Sequence, residues 1–488
     1  MTEFDIIVVG GGPGGYIAAT TAAKYGFSVA LIEKDASQGG GLGGTCLNRG
    51  CIPSKTWLDN AETIERIKNA SKRGIMAQGA DVDMPSMVKF KDRVVKRLSM
   101  GVGALLKSWN VTVFTGTATV HRLDNITVMS ADGNEIQLSC KKLILATGAR
   151  PATIPIKGVE LPQVLSSDNI FNIQSVPDRL AIVGGGVIGV EMARIFSAFG
   201  SKVTILEALP RITPNLDDEV ADALAKSLKS SKVTVKTSVK VEAIEGNCDG
   251  GEVNVVISTG SAEERIPADI VLMAIGRTPN TEAFSELNLK MNRRFVDVGY
   301  GFQTSYPDVY AIGDLTGLSM LAHSASLMGE RVAKNIAINL GRLDPSECDS
   351  LEIDFANIPS VVYGEPSAAA VGMSEKTAIE FCQANELTLS TGRTIFGANG
   401  RAVASGMGDG FIKVLVGKSG KYSAQILGVH IFGPMASELV NEASVLINGK
   451  IDAYRATDVV HAHPTFSEAL SVAIHDALGG SSHQPPKK

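Results

Sequence analysis

Twice along this chain a short apolar run breaks into a cluster of glycines and then resumes as a helix-forming stretch. The first copy runs from Phe4 to Val9, β-branched at Ile6, Ile7, Val8 and Val9, which reads as a buried parallel strand. Gly10-Gly11-Gly12-Pro13-Gly14-Gly15 follows, then Tyr16–Tyr25 in helical composition, then a second strand, Ser28–Ile32, ending in Glu33. Gly10, Gly12 and Gly15 fit G-x-G-x-x-G in the strand–turn–helix setting that the motif requires. Glu33 stands at the distance expected of a carboxylate that binds a ribose 2′-hydroxyl. The second copy begins at Leu180. Ala181–Val183 is its strand, Gly184 to Gly189 its loop, Val190–Phe199 its helix, and Lys202–Leu206 the next strand, ending in Glu207. Strand, glycines, helix, strand and acid together are far more specific than glycines alone. Two such units demand a parallel α/β architecture and imply two bound dinucleotides. A carboxylate at 207 repels a 2′-phosphate and favours NAD over NADP, with Arg211 nearby as the feature that pulls the other way.

The rest of the chain is organised around these units. At 488 residues it has the length of about three domains. Net charge −5 gives no basic footprint for nucleic acid, and no apolar run approaches the roughly 20 residues that span a bilayer. The six cysteines are thinly scattered, unlike a secreted disulfide framework, and fit a reducing compartment. Met1-Thr2-Glu3 leads straight into a strand, which reads as no signal peptide. Residues 57–109 read as helical, with their many Lys and Arg on solvated faces, and Val111–Gln137 as short strands. Leu143–Ala149 reads as another buried strand, ending in Thr-Gly. From Leu351 onward no nucleotide motif occurs. Ile358–Tyr363, Gly410–Val416 and Gln425–Ile431 read as strands, and Ser437–Leu446 and Ser467–Leu478 as helices. The expectation there is a meander backed by helices, followed by a disordered polar tail, 479–488.

Two stretches carry chemistry. The first is Gly43-Gly44-Thr45-Cys46-Leu47-Asn48-Arg49-Gly50-Cys51-Ile52-Pro53-Ser54-Lys55. On a regular helix, side chains five positions apart diverge by roughly 140°. A disulfide needs Cβ atoms about 4 Å apart, so closing this pair requires a bend, which Gly43, Gly44 and Gly50 make cheap. Arg49 and Lys55 favour the reactive thiolate over an inert buried thiol. The second stretch is His461-Ala462-His463-Pro464-Thr465-Phe466-Ser467-Glu468. Pro464 biases His463 toward an extended conformation and suits a helix start, with Glu468 one turn in. A carboxylate on one ring nitrogen leaves the other free as a base. The rival is a metal site from His461, His463 and Glu468, which lacks the further ligand that a closed zinc site wants.

Cys-x4-Cys followed by Ile-Pro-Ser-Lys resembles the active-site segment of the pyridine nucleotide–disulfide oxidoreductases, and among them of dihydrolipoamide dehydrogenases. Later segments match in the same order over nearly the whole chain. The resemblance implies two Rossmann-like domains, binding FAD and NAD, plus an α+β C-terminal dimerisation domain. The divisions would be 1–149 (FAD, with the dithiol), 150–281 (NAD), 282–350 (central, completing the FAD site) and 351–478 (interface). It implies that Cys46 exchanges with substrate while Cys51 faces the flavin, that Lys55 and Glu191 form an ion pair near flavin and nicotinamide, and that Asp314 bonds the flavin ribityl chain. Met320, Leu321, Ala322 and His323 would be the next flavin contacts. Cofactor contacts extend to Gly14, Lys34, Gly44, Thr45, Ala118, Thr147 and Gly148 on the flavin side. On the nicotinamide side they extend to Gly184, Gly186, Ile188, Gly189, Val239, Gly276 and Arg277. His463 would be the base and Glu468 its partner, presented to the cysteines of a second subunit in a homodimer. The implied partners are lipoyl domains of 2-oxo acid dehydrogenase complexes or the glycine-cleavage carrier protein. The implied compartment is the cytoplasm, or the mitochondrial matrix for a processed eukaryotic chain.

Other readings stay open at this point. Glutathione- and trypanothione-type reductases resemble Cys-Val-Pro-Lys-Lys after the second cysteine, and mercuric reductases carry a C-terminal cysteine pair, whereas the last cysteine here is Cys382. A redox-inactive chain that keeps only the fold would not need Cys46, Cys51, His463 and Glu468. The chain departs from the family pattern where Tyr363-Gly364-Glu365-Pro366-Ser367 replaces Thr-x-Pro-Glu, and in the glycine-rich insertion Gln38–Leu42. Both are expected to alter local loops and partner docking without touching the chemistry.

Overall fold

The computed structural model describes residues 2–34, 41–260, 262–348, 350–420 and 423–485. Most of the insertion (Gln38 to Gly40) and the last three residues of the tail lie outside them. The first apolar run is the strand Thr2–Val9, parallel to Val29–Glu33 on one side and to the end of the long strand Glu135–Leu145 on the other. Ile6 to Val9 are buried because both faces of the sheet are covered, one by helices and the other by the strands Thr117–Arg122 and Asn125–Met129 with the short turn Glu282–Leu287. Pro13–Lys24, on one face, packs against Ala322–Asn339. Val309–Ala311 returns from far along the chain to pair with Leu143–Leu145, so the first sheet is completed by the segment after the second unit.

The second unit repeats the first at the level of single atoms. Gly10 and Gly184 have φ of +108° and +109°, and their amides donate to Ile32 O and Leu206 O, each at 2.8 Å. Gly11 N donates to Glu33 Oε2 at 2.7 Å, and Gly185 N to Glu207 Oε2 at 2.6 Å. Arg179–Val183 lies between the parallel strands Lys202–Leu206 and Ile270–Met273. A separate antiparallel sheet of Lys240–Glu245, Val253–Thr259 and Ala262–Ala268 is attached to this unit. The two units are joined by an antiparallel ribbon of Ala149–Pro151 with Arg277–Pro279.

What locks the units together is aromatic. The helix Cys51–Lys68 lies against Val187–Phe199 of the second unit. Trp57, fully buried, sits 5.0 Å from Phe171 and 6.1 Å from both Phe196 and Phe199, centroid to centroid. The charged stretch 57–109 is two helices, Cys51–Lys68 and Met84–Ser108, separated by the short 3-10 turn Ala70–Arg73 and a segment, 74–83, exposed except at half-buried Val82. Its charges are mostly solvated. Lys91 is the exception, buried against Asp92 and Asn172.

The C-terminal part corrects one expectation. It is a five-stranded antiparallel sheet but not a meander. Ala424–Gly433 inserts between Ser367–Gly372 and Phe411–Lys418, with Ser360–Val362 and Thr388–Ile395 at the edges. Ser-Ala-Ala-Ala-Val-Gly at 367–372 has little β-branched character, and it is a strand because both its neighbours pair with it. The tail packs back as far as it is described: Ser481 is buried and Gln484 Nε2 donates to Arg393 O. Buried Lys413 ties this sheet to the second unit, its Nζ lying 2.8 Å from Asp217 and 2.9 Å from Glu375. Among the described residues no helix is long and apolar enough to cross a membrane.

Because Trp57 joins two units, Trp57→Ala should cost about 3–5 kcal/mol, as for other buried aromatic truncations. The check is the denaturation midpoint of the flavin-loaded protein. A loss below ~1 kcal/mol would mean that the aromatic cluster is not what holds the two helices together.

Candidate active site

The bend that the cysteine pair requires is supplied at Gly50. The helix Gly44–Arg49 stops there, at φ −132° and ψ −104°, and the helix Cys51–Lys68 starts at once. Gly44, at φ +60°, abuts the first glycine loop: a Cβ on it would lie 2.6 Å from Gly12 Cα. Asn48 Nδ2 donates to Gly44 O at 2.9 Å and to Gly41 O at 3.1 Å, pinning the end of the insertion to this short helix. Gly41 lines the same cavity as the cysteines, so the insertion does reach the site, contrary to expectation.

Cys46 and Cys51 are free, half-buried thiols joined by a side-chain hydrogen bond. The pair is electrostatically unequal. The Cys46 S–H donates to the Cys51 sulfur, which lowers Cys51 to about 7; Lys55 adds to this, while burial and Glu191 oppose it. The same bond, with burial, pushes Cys46 well above the ordinary thiol range. The expected ion pair is present, with Lys55 Nζ 3.0 and 2.9 Å from the two oxygens of buried Glu191.

Every cofactor-contact candidate named above except Gly15 and Gly189 lines one cavity of about 2140 Å³, together with both cysteines. That exceeds the ~300–1,000 Å³ of an ordinary small-ligand pocket and is of the size two dinucleotides need. Gly15 and Gly189 lie beneath the loops instead. A Cβ on them would come within 1.8 Å of Gly10 O and 2.0 Å of Gly184 O, so close packing of helix on loop requires glycine at both. The phosphate positions fit the group. A Cβ on Gly186 would meet nothing within 4 Å, and one on Gly12 only Gly44 Cα at 3.8 Å. Each opens into the cavity at a helix N-terminus, where a pyrophosphate is favoured. Glu207 Oε2 and Oε1 accept from Gly185 N and Leu209 N at 2.6 and 2.7 Å, and each oxygen keeps a lone pair for a ribose hydroxyl. Arg211 is held by Asp218 and, at 3.0 Å, by Asp222, which answers the feature that argued for a 2′-phosphate.

Asp314 faces the cavity with its carboxyl raised by burial, against the pull of Arg277 at 3.7 Å. His323 lines the cavity while its Nε2 meets Pro359 O at 2.9 Å. Asp168 had no sequence signal. It stands between Arg49 (3.8 Å) and Arg277 (4.0 Å) and so bridges the cysteine segment to the second unit. Tyr363 is the other residue missed. It lines the cavity with Lys55 Nζ 4.0 Å above its ring, and its N–H donates to Glu191 Oε1 at 3.2 Å. The departure at 363–367 therefore touches the site. Gly364 is needed there because a Cβ would lie 2.5 Å from Arg194 Cδ, and Ser367 Oγ accepts from Ala436 N at 3.2 Å.

The second chemical stretch lies elsewhere. His463 Nδ1 is 2.9 Å from Glu468 Oε1, and Glu468 Oε2 accepts from Thr465 N at 2.8 Å, which with His463 holds that carboxyl below its usual range. With Nδ1 on the carboxylate, Nε2 faces outward from a side chain that is 78% exposed. Glu468 is the first residue of its helix and not one turn in, because Pro464 to Ser467 form a turn before it. His461 turns to Glu442 at 2.7 Å, and among the described residues no three ligands converge for a metal. Neither His463 nor Glu468 lines the cavity of its own chain.

Two dinucleotide cradles opening into one cavity, with a polarised dithiol between them, define a nucleotide-dependent disulfide oxidoreductase. Residues 4–329 match the family described as pyridine nucleotide-disulphide oxidoreductase and residues 358–474 its dimerisation domain, and the chain belongs to this family. It is a flavoprotein that uses FAD and NAD, and its dimerisation domain supports a homodimer. Dihydrolipoyl dehydrogenase of Chlamydia muridarum is 35% identical over 492 residues, covering 99% of both chains. That of Geobacillus stearothermophilus is 36% identical over 491 residues, covering 99% of this chain and 97% of the relative. The HOCl-induced flavoprotein disulfide reductase RclA of Escherichia coli has the same architecture, with a TM-score of 0.80, 27% identity and coverage of 96% and 99%.

Carboxamidomethylation of Cys51 in the reduced protein, followed by mass spectrometry, should rise with pH through an inflection near 7, against 9.0 for an ordinary thiol. The thiolate is the reactive form and is present above its pKa, so the rate falls as pH drops through 7. Lys55→Met should move the inflection upward. An inflection near 9 in the unaltered protein would remove the asymmetry of the pair.

Proposed function

We propose that this chain reoxidises protein-bound dihydrolipoamide to lipoamide through a Cys46–Cys51 disulfide and bound FAD, with NAD⁺ as the final acceptor. We take 1–149 with 282–350 as the FAD-binding part, 150–281 as the NAD-binding part and 351–478 as the dimerisation part. The observation that carries the reading is the exposed His463–Glu468 dyad, a base with an outward nitrogen in a part of the chain that has no cofactor cradle. Full-length similarity to dihydrolipoyl dehydrogenases supports the same substrate.

One substrate thiol gives its proton to His463 Nε2 of the partner subunit, and the resulting thiolate attacks Cys46 Sγ. The Cys46–Cys51 bond breaks and Cys51 leaves as a thiolate. Attack falls on Cys46 because the departing Cys51 thiolate is favoured by the Lys55 ammonium. The second substrate thiol then attacks the substrate sulfur of the mixed disulfide, closing lipoamide and releasing Cys46, which takes up the proton. Glu468 holds the His463 tautomer and balances the imidazolium. Bound FAD supplies the path for the electron pair from the reduced dithiol to NAD⁺. Lys55 steadies the charge on Cys51, and Glu207 holds the adenosine ribose. The partners that present such a substrate are lipoyl domains of 2-oxo acid dehydrogenase complexes or the glycine-cleavage carrier protein. The compartment follows theirs, the bacterial cytoplasm or the mitochondrial matrix.

Dihydrolipoamide assayed with NAD⁺ and with NADP⁺ should turn over with NAD⁺ alone at comparable concentrations, and equal rates would overturn the assignment. Glu207→Ala should weaken NAD⁺ by roughly 1.5–3 kcal/mol, the range for hydrogen bonds to a charged group.

Complementation tests the shared site. Cys46→Ser and His463→Gln homodimers should each be nearly dead, the latter by about 10²–10⁴-fold. A co-expressed hybrid contains one site with neither defect and should regain activity. Hybrids as inactive as their parents would put base and dithiol within one chain.

A further inference from the structure

Tyr363 enters no step above, yet it sits where the ammonium beside the dithiol is held. Lys55 Nζ lies 4.0 Å from the centre of its ring and within 3.0 Å of both Glu191 oxygens, so the cation is enclosed by a carboxylate on one side and an aromatic face on the other. The Tyr363 N–H donates to Glu191 Oε1 at 3.2 Å, so one residue fixes both members of the ion pair. Tyr363 is itself fixed. It follows the strand Ser360–Val362 and precedes Gly364, whose lack of a Cβ lets the turn settle on Arg194, one turn beyond Glu191 on the same helix. The charged and titratable groups around Cys51 and this ring are Cys46 on the short helix, Lys55, Glu191 and, from the helix Ala436–Asn448, Glu438.

We propose that Tyr363 is a positioning residue for the dithiol. Its ring caps the Lys55 ammonium and its N–H orients Glu191, so that the cation stays beside Cys51 when Cys51 carries charge. The chemistry favours a ring over a second carboxylate at this point. Lys55 is on a flexible stem and its side chain is 34% exposed, so water in the cavity competes for it. A second anion would restrain it but would also oppose a thiolate, as Glu191 already does. The negative face of an aromatic ring attracts the cation without adding net charge. The proposal rests on the reading that Cys51 works as a thiolate.

The test uses the FAD-loaded homodimer, reduced, in a Cys46→Ser background so that Cys51 is the reactive thiol of the pair. The pH dependence of its carboxamidomethylation is read by mass spectrometry for Tyr363, Tyr363→Phe and Tyr363→Leu. Phe keeps the ring and should hold the inflection within about 0.3 pH units, while Leu should raise it by roughly one unit and slow the reaction about tenfold below it. An unmoved inflection in the Leu variant, or equal displacement by Phe and Leu, overturns the proposal. Should the Leu variant fail to retain flavin, phenylalanines of increasing fluorination at 363 weaken the ring's hold on a cation at nearly constant shape. The inflection should then climb with fluorination, and a flat series overturns the proposal. Dihydrolipoamide is absent from every arm, so failure of the proposed substrate would leave this result standing.

Discussion

Lys55 and Glu191 are 136 residues apart and belong to helices of different nucleotide units, yet their side chains meet within 3.0 Å. That meeting depends on the aromatic contacts beneath it. Trp57, two residues after Lys55, fills the space against Phe171, Phe196 and Phe199, and the last two lie on the helix that carries Glu191. Burying a carboxylate is expensive without a partner, and Glu191 is buried. The apolar packing therefore supplies the energy and the ion pair the register. The site forms only when the two units dock at this angle, because a shift along the helices would leave Glu191 unpaired.

Beside the docked pair, two chemically identical thiols behave differently. Lys55 favours negative charge on Cys51 while Glu191 resists it, so much of their effect cancels. The largest cause of the difference is the thiol–thiol hydrogen bond, which makes one sulfur donor and the other acceptor. The break at Gly50 starts a new helix at Cys51 and places Lys55 one turn further along it. A continuous helix would have put the two sulfurs on diverging faces.

The parts of this arrangement legible in the sequence are those in which cause and effect are close along the chain. Gly10, Gly12, Glu33 and their counterparts Gly184, Gly186 and Glu207 could be read because a strand, a turn and a helix impose fixed spacing over about thirty residues. Cys46, Cys51 and Gly50 could be read for the same reason. The Lys55–Glu191 pair came through family resemblance, since nothing local links residues in separate units. Asp168 and Tyr363 were missed because their contacts with Arg49, Arg277, Lys55 and Glu191 are all made across the folded molecule. The strand at 367–372 is not legible because its alanines favour helix over strand, and pairing on both sides overrides that preference. The helix read at Ser467–Leu478 is found at Glu468–Leu478, so Pro464 does not start it. Proline suits a first helical turn, but here Glu468 accepts from the Thr465 amide and so caps a turn, delaying the helix to its own position.

The same locality explains why His463 and Cys46 need not share a chain. Each half is complete in its own hydrogen bonds: Glu468 satisfies one nitrogen of His463 and the Thr465 amide, and Cys46 and Cys51 satisfy each other. The outward nitrogen of His463 is exposed to solvent, so no buried unpaired group draws the two halves together. Bringing them together must therefore be driven by surface outside the site, and large apolar side chains such as Val445, Val459 and Val460 stand exposed around His461 and His463. Val460 is 94% exposed and immediately precedes His461, which is itself tied to Glu442 on the helix that carries Val445. Covering that apolar surface against a second copy would carry the dyad with it, and the exposed Nε2 would be fixed by packing rather than by any bond of its own. On the proposed reading, catalytic geometry at the dithiol is then a consequence of how well two apolar faces fit.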